Sequence, residues 1–150
     1  MNSTVVAMDV SSEALNVANG NAKLNSTDVS FVQADVLDDS TLGDVLDTKY
    51  DVIVSNPPYI AEKEKDDMER NVLDYEPGLA LFVPDENPLL LYKAISKLAY
   101  ENLNEGGTLY FEINGALGKE TAEAVRAEGF GDVEIIKDYY DKDRIIRAKR

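Results

Sequence analysis

A chain of 150 residues with 15 basic and 29 acidic side chains, a net charge of −14 and 44% apolar positions has the composition of one globular domain. It contains neither His nor Cys, which excludes Ser-His-Asp and Cys-His nucleophiles, ordinary structural zinc and disulfides, and fits a reducing, cytoplasmic compartment. So acidic a surface repels phosphate backbones and makes DNA and RNA poor partners; no apolar run approaches the roughly 20 residues that cross a bilayer, and Met1-Asn2-Ser3-Thr4 lacks the basic and apolar regions of a signal peptide, so neither membrane nor secretion is expected.

Val5 to Val10 is a short β-branched apolar run that predicts a buried strand ending at Asp9. Ser11 and Ser12 then offer N-cap chemistry, and Ala14, Leu15, Val17, Ala18, Ala22 and Leu24 recur at helical spacing. Val29 to Ala34 predicts a second strand with Asp35 at its exit, and Thr41 to Leu46 a short helix. Tyr50 to Ser55 predicts a third strand, running straight into Asn56-Pro57-Pro58-Tyr59. The charge-dense stretch from Ala61 to Asp74 reads as a solvated helix or loop. Asn87 and Pro88 suggest the cap and first turn of a long amphipathic helix reaching Leu103, with Gly106-Gly107 as its stop. Thr108 to Ile113 is a fourth strand and Leu117 to Glu128 a helix closed by Gly129. Val133 to Ile136 and Arg144 to Ala148 are joined by too short a connection for a parallel crossover, so they are expected to pair antiparallel. Alternation of strands and helices predicts an α/β fold, a mostly parallel sheet with helices on both faces and an antiparallel strand near one edge.

Ligands of open parallel sheets sit beyond the carboxyl ends of the strands. Three exits here are polar: Asp9, Asp35 and Asn56. An acid in such a place can accept hydrogen bonds from the vicinal hydroxyls of a ribose, although Asp9 can equally prepare the next helix N-terminus and Asp35 can be an ordinary turn acid. Asn56-Pro57-Pro58-Tyr59 is the sharper signal, since adjacent prolines occur by chance at roughly one position in 400. Each proline fixes its own φ and restricts the residue before it, so Asn56 and Pro57 form a stiff ledge. The ledge presents a carboxamide and carbonyls without neighbouring N–H groups, beside a tyrosine ring able to close one side. It suits a planar NH2 group, whose two hydrogens would be accepted by the Asn56 side-chain oxygen and the Pro57 carbonyl. Displacing a neutral thioether from a sulfonium needs alignment more than an early base, so a chain without His can do this chemistry.

These residues resemble the HemK/PrmC family, methyltransferases that modify the glutamine side-chain amide of peptide chain release factors with S-adenosylmethionine. The resemblance spans Val5 to Leu15, Phe31 to Leu37, Tyr50 to Ile60, the run Asp74-Tyr75-Glu76-Pro77-Gly78-Leu79-Ala80-Leu81-Phe82, which separates the family from DNA amino-methyltransferases, and Asp143-Arg144 in a closing hairpin. It implies a Rossmann-like class I S-adenosylmethionine-dependent methyltransferase fold and N5-methylation of glutamine in a release factor. By the same resemblance Asp9 would bind the ribose hydroxyls, Asp35 and Val36 would line the adenine pocket, and Asn56 would touch both the cofactor's amino-acid part and the substrate amide. Pro57, Pro58 and Tyr59 would cradle the glutamine, and no metal is implied.

The family pattern also has a helical recognition domain, a first strand and a Gly-x-Gly-x-Gly loop ahead of the segment that begins here, the strand lying between those at Val5 to Val10 and Tyr50 to Ser55. Residues 1–150 are therefore expected to be a partial catalytic domain that is inactive by itself. An amino-methyltransferase of the N6-adenine type is an alternative that the ledge alone permits and the charge opposes. A non-catalytic folding or association fragment is another, in which exposed strand edges favour homo-oligomers.

Overall fold

The computed structural model describes residues 3–61 and 78–150, which fall into two compact units, Met1–Thr48 and Lys49–Arg150. The charged stretch up to Asp74 and the Asp74–Pro77 part of the family-like run lie outside the described residues. No helix among the described residues is long and apolar enough to cross a membrane.

In the first unit, β1 (Val6–Asp9) and β2 (Ser30–Gln33) form a parallel pair in register Val6↔Ser30 to Asp9↔Gln33. Between them runs α1 (Ser12–Leu24), whose cap is the expected one: the Ser11 hydroxyl accepts from the Ala14 amide at 3.1 Å. The amphipathic stripe is present, but none of its residues is buried, and Val17 and Leu24 are 65% and 85% exposed. A two-stranded sheet offers too little surface to cover a helix of this length. The predicted short helix arrives in two pieces, a 3-10 turn at Asp39–Thr41 and α2 at Gly43–Leu46.

The second unit is built on a four-stranded sheet of order β3-β6-β8-β7, with β3 at Tyr50–Ser55, β6 at Leu103–Glu112, β7 at Gly131–Lys137 and β8 at Asp143–Lys149. β3 and β6 are parallel, while β8 runs antiparallel to both β6 and β7, as the short connection required. A separate parallel pair joins β4 (Ile60–Ala61) to β5 (Phe82–Val83). Register Phe111↔Ile146 and Leu109↔Ala148 sets alternate residues on one face. There they are buried with Tyr92 and Ala99 of α3 (Leu90–Asn102) and Ala122 and Val125 of α4 (Gly118–Ala127). The expectation of helices on both faces is corrected for this unit: among the described residues α3 and α4 share one face, and Val54 on the other is 72% exposed.

Two local readings also differ. Asn87 does not cap α3. Its carbonyl accepts from Leu90 in a turn, its amide donates to Pro84, and the cap position falls to Leu89 without a side-chain bond. Gly106-Gly107 does not stop α3, which ends where Leu103 turns extended. The glycines lie inside β6, where Gly106 has φ +76° and the register with β3 jumps between Tyr50↔Leu103 and Val52↔Thr108. A Cβ on Gly107 would meet the Asn104 carbonyl at 2.9 Å and the Asp51 carbonyl at 3.2 Å. Gly129, by contrast, closes α4 as read, with φ +105°.

Candidate active site

At the exit of β3 the backbone leaves Ser55 for Asn56, and the two prolines hold the chain extended. Asn56 is exposed, Pro57 buried, and Pro58 and Tyr59 half-buried. The Asn56 amide makes no hydrogen bond among the described residues, and neither does the Pro57 carbonyl. The chain is then caught by two anchors: the Ile60 amide donates to the Leu81 carbonyl at 3.0 Å, which starts the β4–β5 pair, and the Asn114 side-chain N–H donates to the Tyr59 carbonyl at 3.4 Å. Asn56, Pro57, Pro58, Tyr59, Ile60, Ala80 and Leu81 line a small hollow of about 100 Å³. That volume suits a side-chain amide and falls below the 300–1,000 Å³ usual for a whole small-molecule ligand. The Tyr59 ring lines the hollow and also packs against the hydrophobic core, so it is a fixed wall.

Asn114 is a residue that the sequence reading missed. It occupies the exit of β6, next to the exit of β3 in the same sheet, and the rule that singled out Asp9, Asp35 and Asn56 would have found it. Its side-chain oxygen accepts from Ala116 at 3.0 Å, which orients the N–H toward Tyr59. Beneath it, the Tyr92 hydroxyl donates to the Glu112 carbonyl at 3.2 Å. Burial pushes that hydroxyl above the ordinary tyrosine range, helped by the charges of Tyr59 and Glu112 and opposed by a backbone hydrogen bond from Asn114. Ala80 and Leu81 were also missed as lining, although they stand in the run that carried the resemblance.

In the first unit, Asp9, Asp35 and Val36 gather at the carboxyl end of the β1–β2 pair. The Ala34 amide donates to the Asp9 carbonyl at 3.1 Å, and the Gln33 side chain donates to the Val10 carbonyl at 3.1 Å, so the two exits are tied together. One Asp9 carboxylate oxygen accepts from the Ser11 amide at 2.8 Å, while the other has no partner among the described residues. Asp35 accepts from the Leu37 amide at 2.9 Å and receives Thr41 on its backbone, fixing the turn that presents Val36. Asp9 thus prepares the helix entry with one carboxylate oxygen and leaves the other without a partner among the described residues. The Asp35 carboxylate likewise accepts one backbone amide, as a turn acid, and Val36 is half-buried in that turn.

Residues 1–74 match the model of the methyltransferase small domain family. A protein of Bacteroides thetaiotaomicron named release factor glutamine methyltransferase is 48% identical over 146 residues, covering 97% of this chain and 51% of its own length. One of the same name from Lactococcus lactis is 41% identical, covering 99% of this chain and 53% of its own length. The chain therefore spans about half the length of the curated relatives it matches. Among solved structures, a methyltransferase from Pyrococcus furiosus superposes with a TM-score of 0.67 at 18% identity, over 97% of this chain and 62% of its own. A release factor-specific protein-(glutamine-N5) methyltransferase from Alicyclobacillus acidocaldarius gives 0.53 at 21% identity, over 99% and 80%. The fold is that of the class I methyltransferases, and over nearly its whole length the chain is similar in sequence to proteins named release factor glutamine methyltransferase.

Proposed function

We propose that residues 1–150 form part of the catalytic domain of a cytoplasmic methyltransferase that transfers a methyl group to the side-chain nitrogen of a glutamine in a peptide chain release factor. The observation that carries this reading is the ledge: an exposed Asn56 carboxamide and a Pro57 carbonyl, both without a hydrogen-bond partner among the described residues, beside a hollow of amide size. S-adenosylmethionine would supply a methyl group activated on a sulfonium. The Asn56 oxygen and the Pro57 carbonyl accept the two N–H groups of the glutamine amide, which holds its nitrogen in one orientation and favours the pyramidal form that frees its lone pair. Pro58 and Tyr59 wall the aliphatic part of the glutamine. In the first unit Asp9 would hold the ribose hydroxyls of the cofactor through its second carboxylate oxygen, with Asp35 and Val36 at its adenine.

The relatives favour this reading over the N6-adenine alternative, and the charge of −14 opposes a phosphate backbone. The test replaces the aligned half of the Bacteroides thetaiotaomicron relative with this chain and follows the mass of the glutamine-bearing peptide of a purified release factor. Asn56→Ala is expected to lower kcat/KM by about 10²-fold or more, the range for loss of a positioned polar group in a transition state. Transfer at the unsubstituted rate would remove the ledge from the reaction.

A further inference from the structure

The ledge is fastened at both ends to one strand. Ahead of it, Ser55 pairs in register with Phe111 of β6. After it, the Tyr59 carbonyl accepts from the side chain of Asn114, which stands just beyond the end of the same strand. Asn56, Pro57 and Pro58 bridge the two attachments. Each proline fixes its own φ and restricts the residue before it, so few soft torsions separate the attachments from the Asn56 carboxamide and the Pro57 carbonyl.

The second attachment is a clamp on a single peptide unit. Between Tyr59 and Ile60 the carbonyl accepts from Asn114 at 3.4 Å, and the amide donates to the Leu81 carbonyl at 3.0 Å. A peptide group is planar, so partners on its two opposite sides fix its rotation. The Leu81 bond belongs to the short β4–β5 pair, and Asn114 is the partner that ties the unit to the exit of β6.

Asn114 is itself held by its neighbours. Its side-chain oxygen accepts from the Ala116 amide at 3.0 Å, as the cap of the turn Gly115–Leu117, and its carbonyl accepts from the Leu117 amide at 2.9 Å. Its backbone amide donates to the Tyr92 hydroxyl, which in turn donates to the Glu112 carbonyl at 3.2 Å. A carboxamide has one acceptor end and one donor end. With the oxygen committed to Ala116, the NH2 end is the one that faces Tyr59. An aspartate would cap the turn equally well and would lack that donor.

We propose that Asn114 is a positioning residue for the transfer: by clamping the Tyr59–Ile60 peptide to the exit of β6, it sets the direction from which the Asn56 oxygen and the Pro57 carbonyl meet the glutamine amide. This inference rests on the proposed activity and deepens it, by naming a residue that orients the acceptor nitrogen without touching it. A misplacement of about 1 Å can cost about 10²-fold in rate, so the clamp acts on kcat.

The test measures steady-state transfer to a release factor by the hybrid enzyme described above. Asn114→Asp keeps the size of the side chain and the cap on Ala116, but sets a carboxylate oxygen against the Tyr59 carbonyl. It is expected to lower kcat about tenfold or more and leave KM for the factor unchanged. Asn114→Ser, which also preserves the cap and ends short of Tyr59, is expected to do the same. Because the clamp acts through the ledge, Asn114→Asp added to Asn56→Ala should lower kcat much less than it does alone, whereas independent losses multiply. Unchanged kcat in both single variants, losses that multiply in the double variant, or a raised KM with kcat kept would each overturn the clamp and leave the activity standing. Failure of the unsubstituted hybrid would remove activity and clamp together. A second measurement needs no activity and uses the 150-residue chain itself. Exchange of the Ile60 amide in deuterium oxide is expected to be several-fold faster in Asn114→Asp, while the Lys93 amide, bonded to the Leu89 carbonyl at 3.0 Å in α3, keeps its rate. Equal Ile60 rates, or the same acceleration at both amides, would refute the proposal.

Discussion

Replacing Phe111 with alanine tests where the second unit keeps its core. Phe111 is fully buried, its ring stands 5.2 Å from that of Tyr92 at 89°, and it pairs in register with Ile146 of β8 and Ser55 of β3. Truncation removes a phenyl group from a site enclosed by strands on both sides and a helix above, where little can collapse to fill the space. The expected cost is about 3–5 kcal/mol, of which the edge-to-face contact accounts for about 0.5–1.5 kcal/mol. With a urea slope near 2 kcal/mol per M, a loss of about 4 kcal/mol lowers the unfolding midpoint by about 2 M. Tyrosine fluorescence is the assay of choice, because all 8 tyrosines lie at or beyond Tyr50 and the chain has no tryptophan. The signal therefore reports the Lys49–Arg150 unit alone. The control is Val54→Ala on the neighbouring strand, where the side chain is 72% exposed and the loss should stay within about 0.5 kcal/mol. Equal midpoints for the two variants would refute the assignment of the core to the face shared with α3 and α4.

Tyr92→Phe should remove a pH dependence. Because the folded hydroxyl is raised above the ordinary tyrosine value, the unfolded chain releases its proton first, and stability falls as pH rises past about 10, by about 1.4 kcal/mol per unit; alkaline unfolding of the variant should lack that increment, and identical alkaline profiles would refute it. Gly115→Ala should cost about 1–3 kcal/mol, since the new methyl meets a backbone carbonyl that cannot swing away. Gly131→Ala, with open space around it, should be neutral, and denaturation midpoints of the pair check the contrast.

Local chemistry made several features readable before any tertiary contact. The β-branched run Tyr50–Ser55 is a strand with its expected bounds, Ser11 caps α1, Gly129 ends α4, and the two last strands pair antiparallel. The ledge was readable for the same reason, because two prolines restrict the backbone whatever surrounds them. Asn114 was within reach of the same strand-exit rule as Asn56, but its bond to the Tyr59 carbonyl depends on the neighbouring strand's exit, which only the fold places beside it.

Gly106-Gly107 shows where such reading ends. A helix stop and an irregular strand ask for the same residue type, and what decides between them is distant. The Gly106 amide donates to the Arg150 carbonyl at 3.2 Å, the Arg150 amide to the Gly107 carbonyl at 3.0 Å, and Asp51 closes on the space a Cβ would need. Likewise, periodicity told which side of α1 is apolar, and only the packing revealed that, among the described residues, none of the helix is buried. The sequence by itself determined the longer elements, their order and the stiff ledge, though not the short β4–β5 pair, because backbone restriction and hydrophobic period are properties of neighbours along the chain. Beyond the final hairpin, the tertiary structure alone decided which strand lies beside which, which face carries the core, and that the Asn56 amide stands open beside a hollow, because those depend on atoms that sequence separates and packing brings together.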